Sequence, residues 1–115
     1  MAGRLKRLNL RSNGIADYGA EAICRCDHLS NLTHLDLSGN LLTNRAAIAI
    51  AAARQFTTLQ ELNLEANDIS EEGAFALAKS PHLGDFHFLN LSRNPIGSKA
   101  TCALRERFGE RVMLS

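Results

Sequence analysis

An ungapped repeat of 27 residues is the feature that most constrains how this chain can fold. Four segments with the same apolar spacing start at residues 5, 32, 59 and 86. They read Leu5–Leu10, Leu32–Leu37, Leu59–Leu64 and Phe86–Leu91. Each is followed by an asparagine in the same register: Asn13, Asn40, Asn67 and Asn94. A fixed period of this length predicts one structural unit built four times, with neighbouring units stacked to share a core.

Each unit combines a strand pattern with a helix pattern. Alternate leucines face one side of a strand, so they predict a shared interior. These leucines are Leu8, Leu10, Leu35, Leu37, Leu62, Leu64, Leu89 and Leu91. Aligned aliphatic residues in the second half of each unit predict helices that cover the same interior. They are Ile23, Ile50, Leu77 and Leu104.

Short polar residues mark the expected helix starts. Thr43 and Ser70 are residues of the N-capping type, and we expect Asp17 and Ser98 to serve one position later in the first and last units. The asparagine column has a structural interpretation as well. An asparagine amide supplies both a donor and an acceptor for the backbone of a buried turn, so we expect its members to hold neighbouring units together.

The pattern L-x-x-L-x-L-x-x-N-x-L followed by a helix resembles the leucine-rich repeat. Alanine-rich helices with small residues at Gly19, Ala46 and Gly73 make the chain similar to the ribonuclease-inhibitor-like class of that family. The resemblance implies an α/β solenoid, a short right-handed arc with parallel strands on the concave face and helices on the convex face. It also implies either the C-terminal part of a longer array or a short protein of the bacterial type.

One domain, residues 1–115, is predicted, with units at 5–31, 32–58, 59–85 and 86–108 and a C-terminal cap at 109–115. Arg105 and Arg107 replace small residues of the earlier units, which predicts a charged outer face on the last helix. The segment 112–114 falls where a fifth strand would begin, so we expect a short closing edge there.

The first unit has no such cap in its sequence. Its open strand edge predicts either self-association or docking of further repeats. Basic side chains near this edge are expected to protect it by charge, and they are Arg4, Lys6, Arg7 and Arg11.

Composition argues against several classes of function. A net charge of +1 gives no long-range attraction to nucleic acid or to an anionic membrane surface, and aromatic residues make up only 5%. Three cysteines without regular spacing argue against a disulfide framework and favour the cytoplasm. Cys24, Cys26 and His28 do not predict a metal site, because one intervening residue within a helix places the two thiols on different faces and no fourth ligand is evident. We therefore expect all three cysteines to fill small positions and predict no metal or cofactor.

The non-leucine strand positions are the candidate binding surface. They form a polar face on which Phe88 replaces a polar residue, and His34 lies one strand from Glu61 without an expected hydroxyl or thiol nucleophile. We therefore expect a module that binds a protein partner and no enzyme. The alternative, implied by the resemblance, is a regulator of an enzyme, of the inhibitor or GTPase-activating type. The predicted contact residues are Arg7, Arg11, His34, Asp36, Glu61, Asn63, Glu65, Phe88, Asn90 and Arg93.

Overall fold

Strands and helices alternate along the chain, as the repeat predicts. The computed structural model describes residues 5–84 and 86–115, so Arg4, one of the basic residues predicted to protect the first edge, lies outside them. The strands are β1 (Arg7–Asn9), β2 (His34–Asp36), β3 (Glu61–Asn63), β4 (Phe88–Asn90) and β5 (Val112–Met113). The helices are α1 (Ala16–Cys24), α2 (Asn44–Ala52), α3 (Glu71–Ala78) and α4 (Ser98–Phe108). None of them combines the length and the hydropathy that a bilayer crossing needs, as far as the described ranges extend.

All five strands form one parallel sheet in chain order. The central leucines align on adjacent strands, Leu8 with Leu35, Leu35 with Leu62 and Leu62 with Leu89. This register confirms the alignment of the repeats, because a slip of one residue would turn every leucine to the opposite face. The predicted closing strand is also present, since β5 pairs with β4.

The core lies between the sheet and the helices. The strand leucines of units two to four are at most 2% exposed, and Ile50, Leu77 and Leu104 are fully buried with them. Leu8, Leu10 and Ile23 of the first unit pack against this core but stay partly exposed. The outer flank of the first unit therefore presents apolar side chains beside a strand edge that no described residue pairs.

The asparagine column joins neighbouring units through the backbone. Asn40 is fully buried, and its Oδ1 accepts from the N–H groups of Asn13 and Ile15 at 2.9 and 3.3 Å. Its Nδ2 donates to the carbonyls of Leu10 and Ser38. Asn67 and Asn94 make equivalent bonds one and two units later. The structural interpretation of this column is confirmed.

Helix capping differs from the prediction, because part of the cap of α2 and of α3 comes from the preceding unit. Thr43 does cap α2, because its Oγ1 accepts from Arg45 N, whereas Ser70 makes no such bond to its own helix. Asp17 lies inside α1 and its carboxylate binds Thr43 N and Ala46 N at the start of α2. Ser98 is the first residue of α4, after Gly97 at the cap position, so the expectations for Asp17 and Ser98 as caps of their own helices were wrong.

Asn44 repeats the role of Asp17 one unit later. Its Oδ1 accepts from Ser70 N at 2.8 Å and from Gly73 N at 2.9 Å, at the start of α3. Its Nδ2 donates to the Ser70 hydroxyl at 2.7 Å. The Ser70 hydroxyl therefore bonds to the neighbouring helix and does not cap α3. The first orphan N–H groups of α2 and α3 thus find acceptors on the neighbouring helix.

The C-terminal arginines also differ from the prediction. Arg105 is exposed as expected, but Arg107 is half-buried and donates to the carbonyls of Leu77, Ala78 and Leu83. Burial lowers the pKa of Arg107 below its usual value. Arg107 therefore satisfies the carbonyl end of α3 instead of forming a charged outer face, because the last carbonyls of a helix lack partners within it.

Candidate functional site

The strands carry a groove on the face of the sheet that points away from the helices, here called the open face. This groove has a volume of about 390 Å³ and spans β1 to β4. Its lining residues are Arg7, Leu8, Asn9, His34, Leu35, Asp36, Glu61, Leu62, Asn63 and Phe88. Six of the ten predicted contact residues are thereby brought together: Arg7, His34, Asp36, Glu61, Asn63 and Phe88.

A hydrogen-bonded contact joins β2 and β3 in the middle of the groove. His34 Nε2 lies 2.9 Å from Glu61 Oε2, as their neighbouring positions in the sheet predicted. The His34 side chain is 22% exposed and that of Glu61 is 48% exposed, so the carboxylate remains accessible to a ligand.

A hydroxyl stands beside this pair, contrary to the sequence-based expectation. Thr33 Oγ1 is 2.8 Å from His34 Nδ1 and also donates to the Lys6 carbonyl at 3.1 Å. The signal was present in the sequence, because Thr33 directly precedes His34. The N–H groups of Thr33 and His34 both donate to that same carbonyl, at 2.7 and 3.1 Å, so neither is free to stabilise an oxyanion. The Thr33 contact therefore orients the imidazole within the sheet.

The second polar column of the open face is largely committed to local backbone structure. In every unit the side-chain Oδ1 accepts from the N–H two residues later, at 2.9 to 3.0 Å. The column consists of Asn9, Asp36, Asn63 and Asn90. Short Asn and Asp side chains favour this turn, so the shared column explains the residue type without a partner.

Asn90 is more buried than the predicted contact residues that line the groove. It is only 7% exposed, and its Oδ1 also accepts from the Ser92 hydroxyl at 2.6 Å. The physical reason is β5, whose Met113 pairs with Asn90 and covers that end of the sheet. Asn90 consequently does not line the groove.

Arg11, Glu65 and Arg93 lie beyond the groove, near the C-terminal ends of the strands. Arg11 is exposed, and Arg93 Nε lies 4.0 Å from Glu65 Oε2. The Arg93 side chain is 79% exposed, so this pair is weak and open to competition from a ligand. These residues form a rim next to the groove and do not line it.

Phe88 forms the apolar end of the groove and is half-buried, not fully exposed. Its paired neighbour on β3 is Glu61. Among the described residues the cation–π contacts are at Tyr18, Phe75 and Phe108, so the Phe88 ring is not engaged by an arginine or lysine in this way.

The helix side of the molecule carries a separate polar cluster. Arg45 donates to both carboxylate oxygens of Glu21, at 2.8 and 2.9 Å, and lies 4.6 Å over the Tyr18 ring. The hydrogen bond to Glu21 raises the pKa of Arg45 above its usual value. Arg45 and Tyr18 are exposed, so this cluster lies on the surface of the helix layer, opposite the groove.

The three cysteines occupy different environments. Cys24 is packed against the core, and burial, with a smaller contribution from Glu21, raises the pKa of its thiol to about 12. Cys102, which was expected to fill a small position, is exposed on the surface of α4 and does not pack in the core. No group of three or more His, Cys, Asp or Glu side chains suited to a metal ion occurs in the part of the chain that the structure describes.

A family model described as "Leucine Rich repeat" matches residues 5–24, 28–51 and 57–78, which together exceed half of the chain. The chain belongs to the leucine-rich repeat family. Its parallel sheet, its repeat register and its asparagine column agree with that assignment. A search of curated proteins finds no relative of this sequence.

Two solved structures share the fold of this leucine-rich repeat chain. One is titled "Leiomodin-1 Actin-Binding Site 2 (ABS2)", with a TM-score of 0.72 and 16% sequence identity over 90% of this chain. The chain spans 64% of the length of that structure. The other is the tropomodulin C-terminal domain of Caenorhabditis elegans, with a TM-score of 0.72 and 15% identity. That match covers 98% of this chain and 75% of the neighbour. At these identities the likeness establishes the fold.

Proposed function

We propose that this chain is a protein-interaction module whose partner binds in the groove of the open face. The observation that carries the proposal is the arrangement of Arg7, His34, Glu61 and Phe88 along one 390 Å³ groove on a rigid parallel sheet. Mixed charges beside a half-buried aromatic are typical of protein interfaces, where aromatic and arginine side chains contribute most of the binding energy. One of the two structural neighbours is named for binding actin, which supports a protein as the class of partner.

Within the proposed site, the predicted contact residues have different roles. Arg7, Asp36, Glu61 and Phe88 contact the partner directly, while His34 positions the Glu61 carboxylate at 2.9 Å. Asn63 offers its side-chain NH2 group to the partner, because its Oδ1 already accepts from Glu65 N. Arg11, Glu65 and Arg93 serve as a charged rim that favours encounter more than affinity.

The decisive experiment is affinity capture with matched variants on the two faces. We expect Phe88→Ser and Glu61→Lys to lose the proteins that the parent chain captures from its own cells, because both side chains line the groove. Tyr18→Ser and Glu72→Lys on the helix side should capture as the parent does. Circular dichroism spectra should coincide for all five proteins. Unchanged capture by both groove variants would refute the proposal.

The same experiment separates a scaffold from a regulator of an enzyme. If a captured protein is an enzyme, its turnover is measured with and without the purified chain. A change in turnover that Phe88→Ser abolishes identifies a regulator, and unchanged turnover identifies a scaffold.

We also propose that the outer edge of β1 docks a further leucine-rich unit. Asn13 Nδ2 donates to the Arg11 carbonyl at 3.0 Å, as Asn40 Nδ2 does to the Ser38 carbonyl. The Asn13 Oδ1 is therefore oriented like the Oδ1 atoms that accept from the preceding unit at Asn40 and Asn67.

The 27-residue period with a helix in each unit supports the ribonuclease-inhibitor-like class for this array. The three free thiols support a reducing compartment such as the cytoplasm.

A further inference from the structure

We propose that the groove takes an extended peptide segment that presents an acidic, a basic and an apolar side chain at positions i, i+2 and i+4. The inference rests on the proposed function and specifies the chemistry of the partner. The segment crosses the four strands at right angles, with its acidic residue over β1 and its apolar residue over β4.

The spacing of the strands sets the spacing of the motif. Neighbouring strands lie about 4.8 Å apart, so β1 and β4 are separated by about 14 Å. An extended chain rises about 3.3 Å per residue, which places side chains on one face about 6.6 Å apart. Positions i, i+2 and i+4 therefore fall over β1, over the boundary between β2 and β3, and over β4.

Arg7 provides the cationic end of the groove. It is exposed, and the described residues place no carboxylate within 4.0 Å of it, since their ion pairs are formed by His34, Arg45 and Arg93. Lys6 and Arg11 flank it on the same edge of the molecule and are also exposed. An acidic side chain at position i gives this end a counter-ion.

Two carboxylates make the middle of the groove anionic. Asp36 on β2 uses Oδ1 to accept from Ser38 N and from the Ser38 hydroxyl, at 3.0 and 2.7 Å. Its second oxygen accepts no hydrogen bond from the described residues. Glu61 on β3 is 48% exposed on its side chain and lines the same groove. A lysine or arginine at position i+2 reaches both carboxylates.

Phe88 ends the groove with an apolar surface. Its ring is half-buried among groove residues, so a leucine or aromatic side chain at position i+4 loses apolar surface to water on binding. The order of cation, anions and ring from β1 to β4 is fixed by the sheet register. The groove therefore distinguishes the motif from the same residues in another order.

The test measures fluorescence anisotropy with two labelled nonapeptides of identical composition. The first carries Glu, Lys and Leu at its third, fifth and seventh positions in a Gly/Ser background, and the second exchanges the Glu and the Lys. We expect the first to bind about tenfold more tightly, because the exchange turns attractive contacts at Arg7 and at the central carboxylates into repulsive ones. Phe88→Ser should weaken the first peptide about thirtyfold, as loss of an interface anchor does.

Two variants complete the design. Arg7→Glu should reduce the preference between the peptides to less than about twofold, because the cationic end becomes anionic. Tyr18→Ser, on the helix side, should bind both peptides as the parent does.

Equal binding of the two peptides, still dependent on Phe88, would overturn the motif and leave the proposed function standing. Absence of binding to either peptide, while whole-protein capture stays Phe88-dependent, would overturn an extended peptide as the occupant. Loss of Phe88 dependence in capture would instead refute the proposed function itself.

Discussion

Gly73, at the start of α3, shows how closely single atoms fit where two units meet. A Cβ at this position would lie 2.6 Å from Asn44 Oδ1 and 2.9 Å from the Cβ of Ala47. Asn44 Oδ1 is the acceptor for the first N–H groups of α3, so it cannot move away without losing those bonds. Glycine is therefore required here by close approach and not by backbone conformation.

Gly73→Ala should lower the free energy of unfolding by about 1–3 kcal/mol, as overpacking of a tight contact does. The gain in helix propensity offsets only part of this loss. Urea unfolding followed by circular dichroism measures the change. Gly84→Ala is the matched control, because a Cβ there meets nothing within 4 Å, and an equal loss in both variants would contradict the fit described for Gly73.

Cys24 and Cys102 should differ in reactivity toward iodoacetamide. Burial raises the pKa of Cys24 to about 12, so the reactive thiolate is about one part in ten thousand at pH 8. Cys102 is exposed on α4. Mass spectrometry after brief alkylation should find Cys102 modified and Cys24 unmodified, whereas both react in guanidinium. Equally fast modification of the two in the folded protein would show that Cys24 is not buried.

At the scale of elements, the units are joined by polar side chains that act across the repeat boundary. Helix starts are capped by Asp17 and Asn44 of the preceding unit, and the turns after the strands are held by Asn40, Asn67 and Asn94. Carbonyls at the ends of α1, α2 and α3 accept hydrogen bonds from side chains of the following unit. Gln55 donates to Cys24, Ser80 to Ala51 and Arg107 to Ala78. Side chains of adjacent units thus satisfy backbone groups at the starts of α2 and α3 and at the ends of α1, α2 and α3.

Asn40→Ala should destabilise the fold far more than Asn13→Ala. The buried Asn40 side chain makes four hydrogen bonds to backbone groups of two units. Its removal leaves buried backbone groups without partners, which should lower the free energy of unfolding by about 2–4 kcal/mol. Asn13 is exposed and makes one such bond, to its own unit, so its loss should cost less than about 1 kcal/mol. Thermal unfolding of the two variants measures the difference, and equal losses would rule out the inter-unit role.

The repeat period was sufficient to predict the strands, their register and the leucine core, because side-chain alternation leaves one workable pairing. It also predicted the role of the asparagines and the contact of His34 with Glu61. The source of the helix caps could not be read from one unit, since Asp17 and Asn44 act on residues 26 to 29 positions away. Burial of Asn90 and the inward turn of Arg107 were missed for a related reason, because both follow from how the chain end packs.

At the scale of the whole molecule, the two sides of the sheet differ in composition. The leucine side packs into the shared core, and the open face carries polar and aromatic groups in a groove. Because the core fixes the strand positions, the proposed function has Arg7, Glu61 and Phe88 already spaced for a partner in the free chain. Pre-organisation of this kind lowers the entropy lost on binding.

Leu62→Asp should leave the chain unfolded, whereas Leu8→Asp should lower its stability but leave it folded. Leu62 is fully buried between two flanking strands, and a lone carboxylate there costs several kcal/mol, about the stability of a small domain. Leu8 is partly exposed on the first strand. Far-ultraviolet circular dichroism distinguishes folded from unfolded protein. A folded Leu62→Asp variant would contradict the shared core.

Chemical-shift mapping by NMR on the ¹⁵N-labelled chain with its captured partner tests the proposed binding face. If the partner binds in the groove, the largest shift changes fall on the strands at residues 7–9, 34–36 and 61–63 and at Phe88, with residues 45–52 and 72–79 of the helix layer little affected. Largest changes on the helix layer, with the strand residues unmoved, would contradict it.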